Sequence, residues 1–378
     1  MKIENRKKLG DVLKEYKEKN TDNKYKPVAV GRYGIRKREE IYSKELAKDY
    51  SKNKLIYKNT LTVGMGSKQI DIGILTEDAI YAVSPAYHTF RINNIDANYL
   101  RYCLDARNAD MSERFMIASA RQGKSVDFKK MLEYEIPVYS ESDTQTILFN
   151  LSKIEEVILN LDGQLEKMDL LVKSRFVELF GDEKSFRVNA QNSVKDVGDV
   201  GVGIVIQPTQ YYAETGVKAF RSLNVKPFRV NNTDWVYFSE DTNRMMERTQ
   251  VHTNNIAVVR SGANLGDACV ITDEYNGCNA IDILIIRINE NIVLPEYLCA
   301  FINLPHGREQ ILRLQRGGAL KHINVKELEN SHLLVPPMDL QKRFADFINY
   351  TDKSKLAVQE MKNKMEILKA SVMQEYFC

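Results

Sequence analysis

Phe90-Arg91-Ile92, Tyr99-Leu100 and Val126-Asp127-Phe128-Lys129 return later in the chain as Ile286-Arg287-Ile288, Tyr297-Leu298 and Ile323-Asn324-Val325-Lys326. The offset stays close to 197 residues and holds outward in both directions: Asn59 answers to Asn255, Gln145 to Gln341, Met168 to Met365, Ser174 to Ser371 and Phe180 to Phe377. Self-similarity at a fixed offset marks a duplicated unit. Each copy reads as a mixed globular region followed by a long helix. The expected fold class is therefore α+β: two pseudo-symmetric globular domains separated by two long helices that pair as an antiparallel coiled coil. Such a molecule suits a target that itself has two halves.

The helices are read from their apolar spacing. Ile147, Leu151, Ile154, Ile158, Leu161, Leu165, Met168 and Val172 alternate steps of four and three, a heptad seam. In the second copy Phe344, Phe347, Thr351, Ser354, Val358, Met361, Met365, Leu368 and Val372 continue the pattern, with a polar middle at Thr351 and Ser354. So narrow a stripe cannot be buried by one helix alone, so the two are expected to pack together, which places the globular units at opposite ends. A helix from about Gln145 to Phe180 is on the order of 50 Å long at 1.5 Å per residue. Asp162-Gly163 falls in its middle, a point for a kink or a contact. Off the seam, Val157, Leu170, Phe176, Leu356, Ile367 and Tyr376 are apolar, as a helix face covered by a second protein would be.

Composition narrows the class. The chain has 378 residues, 43% of them apolar, enough for more than one core. No apolar run approaches the roughly 20 residues of a membrane span, and the opening Met1-Lys2-Ile3-Glu4-Asn5-Arg6-Lys7-Lys8 lacks an apolar export segment, so a cytoplasmic location is expected. The five cysteines, Cys103, Cys269, Cys278, Cys299 and Cys378, form no CxxC pair and read as buried thiols. Net charge is only +3, so attraction to nucleic acid must come from local patches. Between 186 and 337 arginine outnumbers lysine ten to five, a bias toward planar, bidentate recognition.

Catalytic motifs fail on inspection. Ala118-Ser119-Ala120-Arg121-Gln122-Gly123-Lys124-Ser125 ends like a phosphate loop but lacks its first glycine and follows a helical stretch instead of a strand. Gly198, Gly201 and Gly203 lack dinucleotide spacing and precede a strand. The histidines His88, His252, His306, His322 and His332 have no metal-ligand spacing; no metal and no cofactor are expected.

What remains is a set of arginine-, lysine-, glutamine- and asparagine-bearing turns. Arg, Gln and Asn can bond base edges bidentately, and glycine turns flanked by bases can approach a phosphate chain. In the first copy the candidates are Arg32, Tyr33, Arg36, Lys37, Ser67, Lys68, Arg121 and Lys124. In the second they are Gln207, Thr209, Gln210, Tyr211, Arg221, Arg260, Ser261, Asn264, Arg316, Lys321 and His322.

Gln207-Pro208-Thr209-Gln210-Tyr211-Tyr212, Phe220-Arg221-Ser222-Leu223-Asn224-Val225, Val258-Val259-Arg260-Ser261-Gly262, Gly317-Gly318-Ala319-Leu320-Lys321-His322-Ile323-Asn324-Val325 and Val335-Pro336-Pro337-Met338-Asp339-Leu340-Gln341 follow one another in that order. In this order, with the two-fold repeat, the chain resembles the specificity (S) subunit of Type I restriction–modification enzymes over essentially its full length. The resemblance implies target recognition domains at 1–142 and 183–337, each reading one half of a bipartite double-stranded DNA site. It implies central and C-terminal helical regions at 143–182 and 338–378 that space them. It further implies docking of two methyltransferase (modification) subunits and of restriction (translocase–nuclease) subunits. The chain itself would be non-catalytic, with S-adenosylmethionine, ATP and Mg belonging to the partners of an adenine methyltransferase/endonuclease complex. The first copy departs from the pattern, having no clear counterpart of the Gln207–Tyr212 segment. Two other readings are open: a coiled-coil adaptor joining two modules without DNA reading, and a recognition fragment of a fused restriction–methylation enzyme.

Overall fold

The computed structural model describes residues 1–31, 34–41, 47, 49–66, 68–119, 123–182, 184, 191–313 and 322–378. The chain divides into two units, Met1–Asp162 with Glu360–Cys378, and Gly163–Gln359. Each has a four-stranded antiparallel sheet built the same way. In unit 1, β1 (Leu13–Tyr16), β2 (Thr60–Met65), β3 (Ile70–Leu75) and β4 (His88–Ile92) lie in the order β1-β4-β2-β3. In unit 2, β5 (Gly198–Val202), β6 (Ile256–Val259), β7 (Ala268–Val270) and β8 (Ile283–Ile288) lie in the order β5-β8-β6-β7. The inner strands β2, β6 and β8 are almost wholly buried, as strands covered on both faces must be, and the two in unit 2 are rich in Ile, Leu and Val. A left-handed asparagine opens each inner strand, Asn59 at φ 63° and Asn254 at φ 67°. The structural repeat at that turn is thus one residue removed from the Asn59/Asn255 match.

The tetrapeptides that disclosed the duplication are helix starts. Asp127 caps Phe128–Leu132, accepting from Lys130 N, and Asn324 caps Val325–Glu329, accepting from Glu327 N. Tyr99 and Tyr297, both buried, donate their hydroxyls to the carbonyls of Pro137 and Leu334, again repeat equivalents. The helix that follows β4 runs from Ala97 to Phe115. Four cysteines are buried, but Cys378, beyond the last helical turn, is exposed.

Two 40-residue helices, α1 (Glu141–Phe180) and α2 (Met338–Phe377), each contribute to both units. Each ends in the core that follows the other copy's globular strands. In unit 1, Phe377 is 1% exposed and meets Tyr99 edge-on at 5.3 Å, while Arg107 and Tyr139 donate to the Phe377 and Tyr376 carbonyls. In unit 2, Phe176 and Phe180 pack on Tyr297 and Phe344. Phe176 is therefore core and no part of a surface stripe, and Tyr376 is half-buried with its hydroxyl taken by Asn150. Gly181, at φ 87°, takes the left-handed turn that ends α1.

Along α1 the seam residues are buried or half-buried throughout, with Ile147 and Leu151 at 0% exposure. Along α2 alternate seam positions are corrected by one residue. Phe344, Thr351, Val358, Met365 and Val372 face inward, but Met361 and Leu368 are 55% and 45% exposed, and Phe347 and Ser354 are only half-buried. The inward places belong instead to Ile348, Lys355, Lys362 and Lys369. In unit 2 Lys355 reaches Asp169, and in unit 1 Lys362 reaches Asp162 and Lys369 reaches Glu155, each Nζ–O distance being 2.6 Å. The paired numbers sum to 524 in every rung, so the helices run antiparallel within each unit and the rungs recur every heptad. Apolar spacing misses this because a lysine can lay its methylenes along a seam while its ammonium finds an acid across it. Asp162 thus marks a contact, and α1 continues through Gly163 as helix.

Glu155 is the most heavily held rung. Burial alone would raise its carboxyl, but hydrogen bonds from Arg101, Lys369 and Tyr102 outweigh this and hold it at about 2, against an ordinary 4.5. A depressed carboxyl stabilises the fold fully above its unfolded value, and the contribution is lost as pH falls from about 4.5 through about 2. Glu155→Gln is therefore expected to lower the melting temperature of unit 1 at neutral pH and to flatten its decline across that acid window. Thermal melts followed by circular dichroism at a series of pH values check it. A decline as steep as the parent's would show that Glu155 is not the titrating group.

Candidate nucleic-acid interface

In unit 2 several of the segments singled out in the sequence come together beside the turn at Asp282. Val217–Phe220 pairs in parallel with Asn279–Ala280, and Ile281 N donates to Phe220 O, so Arg221 is delivered beside the turn at Asp282. The backbone at Gly203 runs so close that a Cβ there would stand 2.5 Å from the Ala280 carbonyl, and Asp282 N donates to Ile204 O. That close approach anchors the start of the segment leading to Gln207. From the other side, Ile323 N donates to Arg260 O, and Ser261 bridges His322.

Asp282 is the hub. Its backbone is left-handed at φ 48°, tolerable for an aspartate, and its carboxylate takes Ser261 Oγ at 3.2 Å and stands 3.5 Å from Arg260 Nη1. Arg221 is fixed through its backbone N to Asn224 Oδ1 and through a guanidinium bond to the Asp234 carbonyl. Even so, Nε of Arg221 and Nε of Arg260 are buried donors with no hydrogen-bond partner among the described residues. Buried donors without a partner are costly to a fold.

Gln207, Thr209 and Gln210 are exposed around a short 3-10 turn, Pro208–Tyr211, and Gln207 holds a left-handed φ of 44°. Tyr211 is half-buried against Phe238, its ring 6.1 Å away, which stiffens the turn. Asn264 and His322 are half-buried, while Arg316 and Lys321 lie outside the described residues. Two features escaped sequence reading. Val205 and Ile206 are 47% and 78% exposed beside Gln207, and nothing but their place before the turn distinguished them. Asp282 was invisible because an acid is not sought among groups that face a polyanion.

Unit 1 offers a smaller version. The hairpin of Val28–Gly31 and Gly34–Lys37 packs on β3 at Gly73, where a Cβ would stand 2.6 Å from Ile35 Cγ1. Gly31 and Gly66 both approach Asp71: a Cβ on Gly66 would lie 2.5 Å, and one on Gly31 4.0 Å, from Asp71 Oδ1. Burial raises the Asp71 carboxyl. Arg36, Lys37 and Lys68 are exposed on these segments, and Arg32, Tyr33 and Ser67 lie outside the described residues. Gly123-Lys124-Ser125 opens a strand of the hairpin Met116–Ser119/Gly123–Val126, a geometry foreign to a phosphate loop; Lys124 is exposed, and Arg121 is outside the description.

Among the described residues no group of His, Cys, Asp and Glu side chains could hold a metal ion, and no helix is long and apolar enough to cross a membrane.

The family model of the Type I restriction modification DNA specificity domain matches residues 4–167 and 247–369. Among solved structures, the crystal structure of a Type-I restriction-modification system S subunit from M. genitalium is similar in fold, with a TM-score of 0.52 and 13% identity over 99% of this chain and 96% of that one. The HsdS subunit from Thermoanaerobacter tengcongensis aligns at a TM-score of 0.37 and 15% identity over 99% of this chain and 96% of that one.

Proposed function

The chain belongs to the Type I restriction modification DNA specificity domain family, and from that premise we propose that it is the DNA-reading subunit of a Type I restriction–modification complex. On this reading residues 1–142 and 183–337 each recognise one half of a bipartite double-stranded site, and the helical regions 143–182 and 338–378 space the halves. The observation that carries it is the meeting, around Asp282, of Arg221, Arg260, Ser261 and His322 with the segment leading to Gln207, two of them arginines with unmet buried donors. Arg, Gln and Asn are the side chains suited to base edges in a major groove.

The partners we assign are two methyltransferase subunits and the restriction subunits. Exposed Leu159, Leu170, Leu356 and Ile367, each above 60%, support docking along the helices, since apolar side chains in such number call for cover. The chain contributes no catalytic group of its own; S-adenosylmethionine, ATP and Mg are bound by the partners, the target base is adenine, and the complex works in the cytoplasm.

Gel shifts on random duplexes, with and without a co-expressed methyltransferase subunit, test this against the adaptor and fused-enzyme readings. Enrichment of one split sequence by the complex is expected, with no methyl transfer by the isolated chain. Methyl transfer by the chain alone would overturn the non-catalytic assignment, and a complex indifferent to DNA sequence would favour the adaptor.

A further inference from the structure

An acid at a DNA-facing edge is repelled by every phosphate near it, so its presence requires a compensating task. Asp282 has two partners that define one. Its Oδ2 accepts from Ser261 Oγ at 3.2 Å, and its Oδ1 stands 3.5 Å from Arg260 Nη1. The Arg260 side chain is only 16% exposed, so it has little freedom to swing, and its Nε has no partner among the described residues. The turn that presents the carboxylate is set by its left-handed φ of 48° and by the bond from its own N to Ile204 O. One edge of the arginine fork thus stands beside an acid on a rigid turn, while its remaining donors have no partner among the described residues. A fork held this way is a reader of paired acceptors and no longer a diffuse positive charge.

Resting on the recognition reading above, we propose that Asp282 is a specificity-determining positioning residue, which holds Arg260 and Ser261 as one unit so that Arg260 recognises a guanine through its O6 and N7 acceptors. Guanine is the base whose major-groove edge offers two acceptors at the spacing of the fork. The acid also acts against alternatives. A cytosine or adenine amino group brought to the same place meets an arginine that cannot turn aside.

The test uses the complex with its methyltransferase subunit and reads the sequences it methylates across a genome. Asp282→Asn is the informative change, because asparagine keeps the left-handed turn and can still accept from Ser261, yet no longer holds the guanidinium by charge. The expected result is a loss of preference for G·C of roughly tenfold at a single position of one half-site, the others unchanged. Arg260→Lys, which keeps the charge and removes the fork, is expected to relax the same position. An unchanged motif for Asp282→Asn would overturn the proposal. So would uniform weakening at all positions, which marks a phosphate contact. If the parent complex methylates no discrete sequence, the recognition reading fails first and this proposal with it.

Discussion

Phe377→Ala is expected to cost unit 1 about 3–5 kcal/mol, the usual range for deleting a fully buried phenyl ring, while leaving unit 2 intact. The residue is second from the end of the chain, where truncation is ordinarily harmless. Here its ring is 1% exposed and packs with Tyr99, Leu100 and Cys103 in a core assembled from segments more than 200 residues distant in sequence. The polar ties at that end reach main-chain carbonyls: Arg107 to Phe377 O, Tyr139 to Tyr376 O. The substitution therefore removes packing and leaves the hydrogen bonds possible, so the loss measures the ring. Amide hydrogen exchange resolves the effect by unit. Leu61–Val63 and Leu100–Leu104 are expected to lose protection, while Ile256–Val259 and Ile283–Ile288 retain it. Glu375→Ala, two residues before it and exposed, is the control. Equal loss in both units would show that the two cores do not melt separately.

This dependence was half legible in the sequence. The match of Phe180 to Phe377 disclosed that both helices end alike, yet nothing in spacing told which copy's core receives each end. The seam of α1 was readable because every position in it is apolar. The seam of α2 was not, because Lys355, Lys362 and Lys369 occupy places where a pattern of apolar residues finds nothing, and the eye moves to Met361 and Leu368, which face solvent. At the candidate interface the order of side-chain types made Arg221, Arg260 and Ser261 candidates, since arginine beside serine in a glycine turn has few uses in a core. Asp282 depends on a chain crossing: the parallel pairing of Val217–Phe220 with Asn279–Ala280 is long-range, and only the folded sheet brings that turn against Arg260. Local pattern reports local geometry, so hubs joined by distant strands stay hidden.

The lysine rungs also make the helices measurable as a ruler. Each helix has 40 residues, about 60 Å at 1.5 Å per residue. If that length sets the gap between half-sites, removing one heptad from both helices in register shortens it by about 10 Å, or roughly three base pairs of B-DNA at 3.4 Å each. The rungs define the register. Deleting Ile158–Gln164 together with Glu360–Glu366 removes Asp162 and its partner Lys362 as a pair, and leaves Glu155–Lys369 and Asp169–Lys355 in phase. Deleting either segment alone lets a rung re-form one heptad out of register, Asp169 with Lys362 or Asp162 with Lys355, only by carrying Phe176 and Phe344 about 10 Å out of the packing they share. Such single deletions are expected to yield little assembled complex. The matched deletion is expected to yield complex that methylates the same two half-sequences with a gap shorter by about three base pairs. Sequencing the methylated sites reads both quantities at once. The same half-sequences at the parental gap would show that the helices hold the units together without setting their separation.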